Sequence, residues 1–147
     1  MIINFKIYEG AFYSKELLDA IYSFLFKMFV DSIYIQENKL YFKNYKHHNY
    51  DICDYITMDK LSDDIKIVFR SYNTHYNIMH IIEKILKREL INSNIPFKYQ
   101  EHYNNLEHGR FSSIKFKLKY YDKIVELFPK LSTDDIELYL DSQKYNL

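Results

Sequence analysis

The chain has 147 residues, a length that argues for one domain or two very small ones, and its 20 basic and 20 acidic side chains leave no formal net charge. With 48% hydrophobic and 18% aromatic residues it is too apolar for a disordered chain, and a single cysteine, Cys53, excludes an intramolecular disulfide framework. The neutral balance argues against a broad polyanion binder while leaving room for a local basic patch.

The N-terminal MIINFKIYEG lacks the basic region and long apolar core of a signal peptide. The most apolar stretch, Ile21 to Val30, is broken by Ser23 and Lys27 and falls short of the about 20 apolar residues that span a bilayer. We therefore expect a cytoplasmic, reducing environment and no membrane partner. Ile, Lys, Asn, Tyr and Phe supply half of the chain, while Gly, Pro and Ala are scarce. That bias reads as an A/T-rich genome, so tyrosine abundance alone supports no function.

Ile3, Phe5 and Ile7 alternate with polar neighbours, which predicts a strand over Met1 to Tyr8. Ser14 is placed to cap a helix carrying Leu17, Leu18, Ile21, Phe24, Leu25, Met28 and Phe29 at helical spacing. Ser32 to Gln36 and Lys39 to Lys43 read as a hairpin around Glu37-Asn38. A polar bend (Tyr45 to Asn49), a poorly alternating strand (Tyr50 to Thr57) and a loop (Asp59 to Asp64) follow. Asp64 to Arg70 is a strand, and Ile78, Ile81, Ile82, Ile85, Leu86 and Leu90 form the apolar face of a second helix that stops before Pro96. Phe97 to His102 and Phe111 to Lys119 read as strands around a turn-rich loop, the latter alternating Ile114, Phe116 and Leu118 with Lys115, Lys117 and Lys119. A short helix from Asp122 to Phe128 and a last one capped by Ser132 or Thr133 close the chain. The pattern predicts one α+β domain over residues 1–147: a mainly antiparallel sheet with two principal helices on one face. It contains β-α-β-β halves at 1–58 and 64–119 and a helical tail at 122–147.

Five constellations could carry chemistry. His47, His48, Asp51, Cys53 and Asp54 bring potential ligands close in sequence but lack the second pair that closes a zinc tetrahedron, so a polar bend and a buried thiol are the better reading. Glu101-His102 and Glu107-His108 could act as acid–base pairs only if the loop between them converged them. His80 and Glu83 share a helix face and read as a surface hydrogen bond. Arg110, Lys115, Lys117 and Lys119 with Tyr120 and Tyr121 could hold single-stranded nucleic acid, but a lysine-guarded edge strand explains them more simply.

Arg70 and His75 form the fifth, R-x-x-x-x-H. Their spacing resembles the short signature of helical ribonucleases, which implies an imidazole acting on a 2′-hydroxyl and a guanidinium steadying the phosphate. That family's pair lies in an all-helical bundle, whereas here Arg70 ends a predicted strand and His75 opens a helix. The chain also lacks a glycine-rich phosphate loop and a nucleophile elbow.

The sequence therefore favours a non-enzymatic protein-interaction module that needs no cofactor and no metal. Its partner is expected to be another protein, in the manner of an inhibitor, immunity or phage counter-defence protein, or a second copy of the chain. Tyr45, Tyr50 and Tyr103, in the predicted bends, are the candidate anchors. The alternative is a small nuclease using Arg70, His75, His102 or His108, or a nucleic-acid-binding module using the Lys115 to Tyr121 strand.

Overall fold

The computed structural model describes residues 10–29, 32–42, 54–71, 76–104 and 109–144. Its elements are α1 (Gly10–Phe26), β1 (Ile33–Gln36), β2 (Lys39–Phe42), β3 (Asp54–Leu61), β4 (Asp64–Ser71), α2 (Tyr76–Asn92), β5 (Phe97–Asn104), β6 (Gly109–Lys117), α3 (Tyr121–Leu127) and α4 (Asp134–Lys144). Single 3-10 turns at Leu118–Tyr120 and Phe128–Lys130 flank α3. The strands form one antiparallel sheet in the order β1-β2-β3-β4-β6-β5. The fold is α+β, as the alternation and helical periodicity predict. The predicted first strand, Met1 to Tyr8, lies outside the described residues.

Turn chemistry sets the register. Glu37 and Asn38 both have positive φ, 52° and 64°, the sign pattern of a type I′ turn, whose twist matches that of the strands it joins. Asp59 to Asp64 is strand rather than loop. The ladder continues through Asp59↔Lys66 and Leu61↔Asp64, and only Ser62-Asp63 turn the chain. The polar run suggests a loop, but Asp59 and Lys66 are an opposite-charge cross-strand pair on the solvent side. The first helix starts at Gly10, so Ser14 lies inside it instead of capping it.

At the end of α2, Asn94 adopts φ 57°, the Ile95 N–H donates to the Leu90 carbonyl (2.9 Å) and the Asn94 N–H to the Ile91 carbonyl (3.1 Å). This is a Schellman stop with asparagine in the left-handed position, and Pro96 prevents continuation. At the start of α4, the Ser132 Oγ accepts the Asp134 N–H at 3.2 Å.

Strand alternation divides the sheet into two faces. Leu40, Phe42, Ile56, Met58, Ile65, Ile67, Phe69, Ile114 and Phe116 face α1 and α2 in one continuous core with Leu17, Ile21, Leu25, Met79, Ile82 and Leu86. Helix α3 packs on α1, where Tyr121 is buried and its hydroxyl accepts the Leu17 N–H at 2.9 Å. Helix α4 packs on α2 and is tied to it by Arg88–Asp135 at 3.2 Å. No described helix covers the opposite face of the sheet, and none is long and apolar enough to cross a membrane.

Candidate functional site

The helix-free face is organised in rows by the strand register. One row reads Tyr34, Tyr41, Tyr55, Arg70, Phe111, with His102 at the outermost register position. The Tyr34 and Tyr41 rings stack at 5.2 Å and Tyr41 meets Tyr55 at 5.9 Å. The Arg70 guanidinium lies 5.6 Å from the Phe111 ring centre, and the Lys39 ammonium 4.7 Å from that of Tyr55. The row is thus an aromatic track with cations against its rings, a pairing that ring quadrupoles favour.

A second row, four residues further along β4, reads Asp59, Lys66, Lys115, Lys98. Lys115 has a lysine directly opposite it on both neighbouring strands. Like charges in direct register destabilise a sheet, so this arrangement costs free energy. Next to it, Lys117 is neutralised by Asp64 at 3.2 Å. Lys66, Lys98 and Lys115 make no ion pair among the described residues. Among the described residues the face carries six basic side chains (Lys39, Lys66, Arg70, Lys98, Lys115, Lys117) against two acidic ones (Asp59, Asp64). Since the chain is neutral, the rest of it holds a matching acidic surplus.

These placements revise the lysine-strand reading. β6 is interior, between β4 and β5, so its lysines guard no edge. The set also divides. Lys115 and Lys117 lie on the helix-free face, while the strand ends at Lys117, leaving Lys119 and Tyr120 in the following turn with the ammonium 5.2 Å from the ring centre. Tyr121 is 1% exposed under α1 and offers no surface for stacking. Arg110 points to the helix side and is buried.

Arg110 there meets the second polar feature of the molecule. Glu83 of α2 is fully buried and receives both Arg110 Nη atoms, at 3.2 and 2.9 Å, together with the Ser112 hydroxyl. Tyr99 accepts from Arg110 Nη2 at 2.9 Å and donates to Glu83 at 3.3 Å, and Glu101 takes Arg110 Nε. Burial, reinforced by Glu83, pushes the Tyr99 phenol up from 10.0 to about 12. Burial also opposes the Arg110 charge, but the hydrogen bonds to Glu83 and Glu101 outweigh it and hold the guanidinium protonated beyond its ordinary range. Glu83 is therefore no surface partner of His80, whose Nδ1 is 3.8 Å away on a half-exposed side chain. The cluster fixes α2 to β5 and β6. A guanidinium held this firmly is poorly suited to proton transfer.

Tyr45, Tyr50, His47, His48, Asp51, Cys53, His75 and His108 lie outside the described residues, and for His102 and Tyr103 only the strand backbone is described. Arg70, read as half of a ribonuclease pair, sits in the middle of the aromatic row. Among the described residues no cluster of three potential metal ligands occurs. Sequence reading missed Tyr34, Tyr41, Tyr55, Lys66 and Lys98, each unremarkable in its own stretch. It also missed the Glu83–Arg110 pair, for which a signal existed. Glu83 falls on the Met79–Leu86–Leu90 stripe, and Arg110 is in phase with Ser112, Ile114 and Phe116.

No protein-family model matches the chain, and no curated protein is detectably similar to it in sequence.

Proposed function

We propose that the protein is a binding module that holds single-stranded nucleic acid on the helix-free face of its sheet. The observation that carries this reading is the Lys66–Lys115–Lys98 row, three adjacent lysines with no ion pair among the described residues, lying parallel to the aromatic track. Single strands are held by a basic groove that follows the phosphates and by rings on which bases stack, and such stacking tolerates any sequence. The six strands give a track about 24 Å wide at the usual strand spacing. Two rows four residues apart along a strand lie about 13 Å apart at the backbone, and flexible lysine side chains leaning toward the aromatic row shorten the gap between phosphate and base contacts. Overall neutrality does not oppose this, because the described face itself carries six basic residues against two acidic ones.

The test is fluorescence anisotropy with labelled oligouridine and oligothymidine of about ten nucleotides, a length typical of one small binding fold. Saturable binding at low salt is expected, weakened by Tyr55→Ala through lost stacking of about 1–3 kcal/mol and by Lys66→Gln with Lys115→Gln through lost phosphate contacts. Absence of binding, or binding indifferent to both changes, overturns the reading. Tyrosine and arginine are also the anchor types of protein interfaces. A face that ignores oligonucleotides therefore reads as the docking surface of an acidic protein, the inhibitor-like role expected from sequence.

A further inference from the structure

The lysine row encloses a shallow cavity of about 120 Å³ lined by Leu61, Lys66, Lys98, Gln100, Ser113 and Lys115. We propose that this cavity is a phosphate subsite, a place where one phosphoryl group is held by three ammonium groups and the Ser113 hydroxyl.

Three observations converge on it. The register sets the lysine Cβ atoms of neighbouring strands about 5 Å apart, so their flexible ends can meet over one anion at hydrogen-bonding distance. No carboxylate lies in direct register with Lys115 or Lys98, whereas the next lysine along β6, Lys117, has its own aspartate. Ser113 is 3% exposed, lines the cavity and makes no side-chain hydrogen bond to another described residue. Gln100, beside it on β5, brings an amide donor to the same rim. A bound dianion would relieve the repulsion among the three lysines, which gives binding a driving force that a scattered lysine surface lacks.

The inference deepens the nucleic-acid reading, since the phosphate would be one of the strand's own, but free phosphate offers the same chemistry and separates the two. The experiment is a titration of inorganic phosphate and pyrophosphate into the ¹⁵N-labelled protein at fixed pH and ionic strength, followed by amide shifts. Saturable shifts confined to Lys66, Lys98, Gln100, Ser113 and Lys115 are expected, weakened at least about tenfold in Lys115→Gln and in Lys98→Gln and unchanged in Lys130→Gln. Shifts spread over all lysines without saturation overturn the subsite. Oligouridine then serves as the second ligand. If phosphate seats in the cavity but oligouridine does not bind, the subsite stands as a site for small phosphorylated ligands and the nucleic-acid reading falls. If oligouridine binds through Tyr55 but is indifferent to Lys98→Gln and Lys115→Gln, the nucleic-acid reading stands and the subsite is overturned.

Discussion

A carboxylate with no solvent exposure must be compensated where it sits, and Glu83 is compensated by Arg110, Ser112 and Tyr99 together. Removing one member leaves the other charge buried and alone. Arg110→Met should therefore destabilise the protein by about 3–5 kcal/mol in denaturant unfolding, and Glu83→Leu combined with Arg110→Met should recover most of that loss. A cost below about 1 kcal/mol for the single change would show that water reaches the pair. Tyr99 gives a pH signature. Its folded pKa lies above its unfolded one, so between about pH 10 and 12 the folded state keeps a proton that the unfolded state releases. Stability must fall with rising pH across that window. Tyr99→Phe should make the fall shallower, measured as the difference between the two proteins' unfolding free energies at pH 9 and above. At this scale the sequence was readable in part. A glutamate inside an apolar helical stripe signals a buried partner, but nothing local identifies Arg110, 27 positions away, as that partner.

Elements were more legible than the pairings between them. Leu25 and Ile82 stand in the middle of two periodic apolar faces, and both are buried between α1 or α2 and the sheet. Leu25→Ala and Ile82→Ala should each cost about 2–5 kcal/mol, read from thermal or denaturant midpoints. A loss near zero would mean that the helix in question does not seal the core. Period-2 alternation located β4 and β6, and Pro96 located the end of α2. The run Asp59 to Asp64 did not show itself as strand, because polarity on a solvent face looks the same as polarity in a loop. Strand order was equally hidden. β6 follows β5 in the chain yet inserts between β5 and β4, and that single insertion turns a lysine strand from an edge into the interior of the sheet. Lys66, Lys98 and Lys115 come from three separate stretches, and only the register brings them side by side.

At the scale of the whole molecule, the described helices gather on one side of the sheet and the opposite face carries more basic than acidic residues, so a neutral chain presents a basic face. A face of that kind acts through released counterions, and its contribution is read from salt dependence more directly than from affinity at one condition. The decisive measurement is the affinity for a ten-nucleotide oligouridine from low to physiological salt, for the natural protein and for Lys66→Gln/Lys98→Gln/Lys115→Gln. Each phosphate contact on a single strand contributes about −0.7 to the slope of log K against log salt. The natural protein should show a slope of about −2 or steeper, and the triple variant should lose about two units of it while remaining folded. Equal slopes for the two proteins, or no binding by the natural protein at low salt, would contradict the assignment of the helix-free face to nucleic acid.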